Sequence, residues 1–158
     1  MPLNRSRAVQ YARMYAMTPN RDYHLYPVDC TNFVSQCLFA GGWQMIQGWY
    51  QSDRVWWYTG GVFGWRAASY TWAAAQNFFN FLDVSGRGTQ TTDPRQLQPA
   101  DVVQIRNAGG VYHTMIVTAR AGNDLLLSYH TSNHLDRPLS DIQRGLSSTH
   151  SLIYWILS

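Results

Sequence analysis

The chain contains no lysine. All 12 basic residues are arginine, and they are scattered from Arg5 to Arg144 rather than clustered. A formal charge of +3 spread in this way makes a mild, diffuse field. A nucleic-acid binder gathers its basic residues on one face, so nucleic acid is not expected as a partner. Cysteine is almost as scarce: Cys30 and Cys37 are the only two. Seven residues along one helix part their α-carbons by roughly 10 Å, more than the roughly 7 Å a disulfide spans, so both thiols should be free. No stretch reaches the roughly 18 apolar residues of a membrane span. The opening Met1-Pro2-Leu3-Asn4-Arg5 leads into an amphipathic segment without the apolar core of a signal peptide, although a processed chain would have shed one, so the compartment stays open. Internal repeats and low-complexity tracts are missing. The Gly-Gly and Gly-x-Gly pieces lack the strand-to-helix setting of a phosphate loop, which excludes nucleotide binding on motif grounds. What is present is 158 residues with 46% hydrophobic content, enough for a single domain with a sizeable core.

Periodicity divides the chain into helices first and strands afterwards. Residues 4–16 carry Ala8, Tyr11, Ala12 and Tyr15 at helical spacing, and Thr18-Pro19-Asn20 stops them. An aromatic loop over residues 21–28 leads to a second helix ending at Gly41-Gly42. Residues 43–70 are rich in tryptophan, tyrosine and glycine and read mainly as an irregular insertion sealed onto the core, with one or two rings at a groove rim. Residues 71–82 read as a helix with Phe78, Phe79 and Leu82 on its apolar face, residues 85–93 as a polar turn, and residues 94–98 as a short helical turn. Four β-branched or aromatic runs follow, near residues 102–105, 111–119, 125–130 and 152–157, separated by glycine-rich turns and one longer polar segment. Helices followed by a meander predict an α+β domain, the helices packed on a C-terminal antiparallel sheet.

The second helix holds the most chemistry. Pro27 and Asp29 are typical helix openers, and Cys30, Phe33, Val34, Cys37 and Leu38 share one face. A thiol in the first turn lies beside unpaired N–H groups and the positive end of the dipole, both of which favour thiolate. Most cysteines on an apolar helix face are small core residues, and Cys37, in mid-helix, reads as one. Only Cys30 has the terminal position that activation needs.

The run Asp29-Cys30-Thr31-Asn32-Phe33-Val34-Ser35-Gln36 followed by Gly41-Gly42-Trp43 resembles the opening motif of the putative amidase domain family, a branch of the papain-like superfamily that also holds NlpC-type and CHAP-type cell-wall hydrolases. The likeness continues through Ser69 and Trp72, the stretch from Pro99 to Val103, the stretch from His113 to Val117, and Tyr129-His130-Thr131, with Ala100 where many wall hydrolases have glycine. It covers nearly the whole chain. It implies a papain-like fold and a cysteine hydrolase that cleaves an amide bond through a thioester. The implied substrate is the peptide part of bacterial peptidoglycan, and the implied site of action is the cell wall. No cofactor is implied.

A cysteine nucleophile needs a base and a group to orient that base. His113 opens a strand beside a Gly-Gly turn. On residue type alone it reads as a solvated or core histidine, and the resemblance assigns it the base. For the third member the order of preference is His130, expected beside His113 on the next strand, then Asn133, then Asp136. The backbone N–H of Cys30 is a plausible oxyanion donor. Tyr26, Trp43 and Trp57 are candidates for the substrate groove. His130 and His134 are four residues apart but follow a strand in a turn-rich run, and Cys30 has no second thiolate near it, so no metal site is expected. The same residues are compatible with an acyltransferase or peptide-processing enzyme, and the aromatic content with a non-catalytic saccharide- or peptide-binding module. As a toxin, such a domain would also have an immunity or inhibitor protein as partner.

Overall fold

Asn4 starts the first helix by accepting a 3.0 Å hydrogen bond from the Arg7 N–H, and the Ala8 and Ala12 stripe lets the helix lie close against its neighbour. In the computed structural model, which describes residues 2–60 and 67–158, this is α1 (Arg5–Tyr15) and the neighbour is α2 (Cys30–Ala40). The Gly61, Phe63, Gly64 and Trp65 part of the aromatic insertion lies outside the described residues.

Helix α2 departs from the one-faced pattern read in the sequence, because every residue from Cys30 to Leu38 is buried. Its polar side chains are consumed by structure. Ser35 donates to the Trp72 carbonyl and accepts from Trp56 Nε1, Asn32 accepts from Trp72 Nε1, and Gln36 accepts from the Tyr11 hydroxyl. A buried polar group without a partner costs roughly 1–3 kcal/mol, so these bonds are what allow the helix to be central. Gly42 ends it in the left-handed region (φ 98).

The helix expected over residues 71–82 is two helices, α3 (Tyr70–Ala73) and α4 (Ala75–Ser85), divided at Ala74 by one extended residue (φ −120, ψ 133). Local propensity at Ala73-Ala74-Ala75 favours continuity. Tertiary bonds override it: Ser69 and Thr71 pin the first turn to Trp57 and Val55, while α4 buries Phe78, Phe81 and Leu82. Trp56 and Trp72, both fully buried, lie with ring centroids 4.6 Å apart. The insertion is therefore part of the core.

Six antiparallel strands form one sheet: β1 (Gly88–Thr91), β2 (Val102–Asn107), β3 (Gly110–Ala121), β4 (Asp124–Tyr129), β5 (His134–Pro138) and β6 (Ser151–Leu157), in the order β1-β6-β2-β3-β4-β5. The expected α+β class holds. Strand β1, read as a turn, is a short edge strand with mostly exposed side chains, and the longer polar segment contains β5 and the helix α5 (Leu139–Gly145). Each of these shows too few apolar residues to declare a period. Alternation along the strands gives the sheet two apolar faces. Val102, Ile116 and Trp155 face α1, α2 and α4, whereas Val103, Ile105, Met115, Val117, Leu127 and Tyr129 face Leu139 and Ile142 of α5. No helix among the described residues is long and apolar enough to cross a membrane.

Candidate active site

The start of α2 is held to the sheet by a chain of side chains. Trp155 Nε1 donates to Gln104 Oε1 (2.9 Å), Gln104 Nε2 donates to Thr114 Oγ1 (3.1 Å), and the Thr114 and Thr31 hydroxyls are 2.8 Å apart. Thr31 thus fixes the first turn of α2 to the middle of β3. Cys30 is 2% exposed, and its thiol lies 3.8 Å from Thr31 Oγ1, whose own contact with Thr114 brings the first turn of α2 onto β3. The pairing of β3 with β4 begins at Ile116–Ser128 and shifts register between Val117 and Ala119, so Thr114 lies beyond the β4 ladder. Burial pushes the thiol pKa up, and the hydrogen bonds from Thr114 and Thr31 only partly oppose it. The position is the expected one, but the resting group is a protonated thiol rather than the thiolate that the helix terminus alone suggests.

His113 immediately precedes Thr114, so its side chain leaves β3 on the opposite face. It lies across from Ile105 on β2, and its ring meets the Tyr129 ring edge-on with centroids 4.8 Å apart. Burial, with a smaller contribution from nearby His134, lowers its pKa to about 4. It is a neutral imidazole at neutral pH. His113 lines a cavity of about 580 Å³ shared with Val28, two residues before Cys30, and with Ile105, Met115, Tyr129 and Ile142. Among the described residues no hydrogen bond joins thiol and imidazole. The imidazole leaves β3 on one face at His113, and the thiol lies on the other face near Thr31 and Thr114.

His130 does not orient His113. Its Nδ1 lies 2.6 Å from Asp29 Oδ2, its Nε2 lies 2.8 Å from the Tyr15 carbonyl oxygen, and its ring stacks on Phe33 at 4.1 Å. Both ring nitrogens are engaged by these two contacts, and neither is left for His113. The cause is parity. On β4 it is Tyr129 that shares the face of His113, and the next residue necessarily points to the helices. Asp29, expected as a helix cap, makes no cap bond. Its Oδ1 accepts from the Tyr26 N–H and from Asn32 Nδ2, both at 2.9 Å, while Oδ2 takes His130. These buried contacts tie the loop before Cys30, helix α1 and the end of β4 into one unit.

The other candidates are also placed away from His113. Asn133 is exposed in the turn between β4 and β5. Asp136 accepts from Arg13 Nη1 (2.6 Å) and from Thr118 Oγ1 (2.5 Å), on the helix side of the sheet. Trp43 is buried at the far end of α2, where its Nε1 donates to the Ser158 carbonyl and Arg87 lies 5.0 Å over its ring. Trp57 is buried, with Nε1 donating to the Gly48 carbonyl. Neither tryptophan lines the cavity. Tyr26 is half-buried beside Asp29 and edge-on to His24, and burial, with help from Tyr58 and Asp29, pushes its phenol up to about 12. The residues that do gather around His113 are Tyr129, His134 and Arg137. Sequence pattern could have found Tyr129 by counting alternate positions from the strand end. His134 and Arg137 sit on a strand with no readable period.

Residues 2–154 match the family described as Putative amidase domain. The chain belongs to that family. Among curated proteins, it is 34% identical over 133 residues to the uncharacterized protein YjcM of Bacillus subtilis, covering 83% of this chain and 31% of that one. It is also 34% identical over 140 residues to the uncharacterized protein YhbB of the same organism, covering 81% of this chain and 41% of that one. The chain thus spans about a third to two fifths of these relatives. No solved structure gives a significant match. For this amidase-family domain the family assignment and the α+β fold stand together, with Cys30 in the first turn of α2 and His113 on β3.

Proposed function

We propose that this domain is a papain-like cysteine hydrolase that cleaves an amide bond in the peptide stems of bacterial peptidoglycan, as an endopeptidase or amidase. The observation that carries the proposal is the chain of contacts from the Cys30 thiol to Thr31 and from Thr31 to Thr114, the residue next to His113 on β3, while Val28, two residues before Cys30, lines the cavity that His113 also lines. The wall substrate is supported by the motif resemblance.

The chemistry starts from two neutral partners. His113, kept neutral by burial, takes the thiol proton as sulfur attacks the scissile carbonyl carbon, and the backbone N–H of Cys30 faces the developing oxyanion. The imidazolium then gives its proton to the departing amine nitrogen, the C–N bond breaks, and a thioester remains on Cys30. Water attacks the thioester with His113 again as base. The acid product leaves, and the proton returns to sulfur. His113 is steadied in this cycle by the edge of Tyr129. Because the thiol is raised and the imidazole lowered, proton transfer accompanies substrate attack; the pair does not rest as thiolate and imidazolium.

The test is incubation of purified, insoluble bacterial wall with the native protein and with Cys30→Ala, followed by mass spectrometry of released material. Peptide fragments that depend on Cys30 and appear without added amine support the hydrolase, and their masses identify the bond. Equal release by both proteins, or none by either, removes the proposal.

A further inference from the structure

The cavity beside His113 has mostly apolar walls, with Thr131 and Ser132 of the turn before β5 and His134 and Arg137 of β5 as further polar lining. Arg137 is paired in register with Leu127, which places it on the same face as Met115 and Tyr129. Its Nη1 donates to the Tyr129 phenol oxygen at 2.8 Å. Among the described residues Arg137 has no carboxylate partner, in contrast to Arg5, Arg13, Arg95 and Arg144, and no acidic side chain lines the cavity. A guanidinium held against apolar walls without a counter-anion favours a ligand that brings one, and its planar fork suits a carboxylate.

We infer that this cavity is a subsite for a peptide segment carrying an apolar side chain and a free carboxylate, and that Arg137 is the residue that reads the carboxylate. The inference rests on the hydrolase proposal for its place beside the reaction centre. Strands lie about 4.8 Å apart, so β5 stands roughly 10 Å across the sheet from β3, which is about three residues of extended chain. The recognised carboxylate therefore belongs to a residue near the scissile bond. The apolar contact comes from Val28, Ile105, Met115 and Ile142, and the substrate class narrows to short peptides ending in, or branching to, a free acid.

The test uses the Cys30→Ala protein, in which no turnover intervenes, and isothermal titration with N-acetylated alanyl-leucyl-alanine as the free acid and as its C-terminal carboxamide. The acid should bind at least about tenfold more tightly than the amide, as expected for a charge-assisted pair. Adding Arg137→Gln should remove that difference, and Arg137→Lys should restore part of it. Circular dichroism of each variant checks folding. Equal affinity for acid and amide, or no binding of either, overturns the carboxylate subsite. Neither result touches the hydrolase proposal, which is decided by Cys30-dependent release from wall.

Discussion

The two faces of the sheet are built differently. On the helix side, Trp56, Trp72, Phe33, Phe78 and Phe81 are all fully buried, the polar atoms of α2 are paired, and the thiol is held at 2% exposure. On the α5 side, a cover of seven residues leaves an apolar cavity of about 580 Å³ open beside His113. On the proposed mechanism the densely packed face would hold the nucleophile, and the open face would offer the imidazole and room for a ligand. Catalysis by such a pair requires that the two meet where the β4 ladder stops and the sheet no longer separates them. Variants of the two faces should therefore fail in different ways.

The largest effect should come from the pair itself. Cys30→Ala and His113→Gln should each lower peptide-bond cleavage by about 10²–10⁴-fold or more while the protein still melts cooperatively. Their combination should lose little beyond the worse single change, because the two act as a unit. Near-additive losses measured by product release would argue that they act in separate steps.

The next contrast is stability. Trp72→Ala removes a fully buried ring from the helix side and should cost about 3–5 kcal/mol in urea unfolding. Ile142→Ala, on the cavity side, should cost about 2 kcal/mol, near the low end for a buried aliphatic residue, because the neighbouring space is already open. Equal losses would mean that the cavity collapses or is filled in solution.

His130 links the faces. Removing one member of this buried hydrogen-bonded pair leaves the other without its partner, so His130→Gln should destabilise by about 1–3 kcal/mol. The double change with Asp29→Asn should cost clearly less than the sum. Cleavage should fall alongside stability in this series, because Asp29 sets the turn that carries Cys30. A variant with native stability and lost activity would instead give His130 a chemical part.

The depressed imidazole makes a pH prediction on the open face. His113 titrates near 4 in the folded protein, against about 6.5 when unfolded. Between those values the unfolded chain binds a proton that the folded chain does not. Stability from this group is complete above about 6.5 and is lost as pH falls toward 4, by on the order of 3 kcal/mol in all. Subtracting the unfolding profile of His113→Gln from that of the native protein should isolate this decline. The acid limb of cleavage should likewise lie below 6.5, since the base stays neutral there. A difference profile that is flat across this window would place the imidazole in contact with water.

Much of this was legible in the sequence, and the remainder was lost to identifiable causes. The helix over residues 4–16, the Cys30 helix, the four apolar strand runs and the α+β class follow from period alone, since 11-residue helices and strands of six to twelve residues give enough turns or alternations to count. The break at Ala74 is invisible locally because it is imposed by Asn32, Val55 and Trp57 from elsewhere in the chain. The preference for His130 over the other third members failed by one residue. Proximity in sequence to a strand end does not give the face, and a shift of one reverses it. The tryptophans of the insertion that the structure describes, apart from exposed Trp49, follow the core interpretation rather than the groove one. Asp29 carries more than the motif suggested, because its burial against His130 and Tyr26 depends on three segments at once.

The smallest predicted effect concerns the departure at Ala100, and it separates scaffold from chemistry. Ala100 is buried with φ 77, in the left-handed region where a Cβ is strained, and its N–H donates to the Val117 carbonyl at 2.7 Å. This turn delivers Asp101, whose Oδ1 accepts from Arg5 Nη1 and the Leu157 N–H, both at 2.8 Å, and whose Oδ2 accepts from the Gln98 N–H. The aspartate thus joins α1, β6 and the start of β2, far from the thiol in both role and bonding. Glycine would relieve the left-handed strain of about 1–2 kcal/mol while losing about 0.5–1 kcal/mol to unfolded-state entropy. Ala100→Gly should therefore stabilise by between about 0 and 1.5 kcal/mol and leave the rate of cleavage unchanged. A stabilised variant with altered cleavage would show that the turn is coupled to the Cys30 end of β3 through the Ala100 to Val117 bond, and the division between a fixed face and a working face would have to be redrawn along β3.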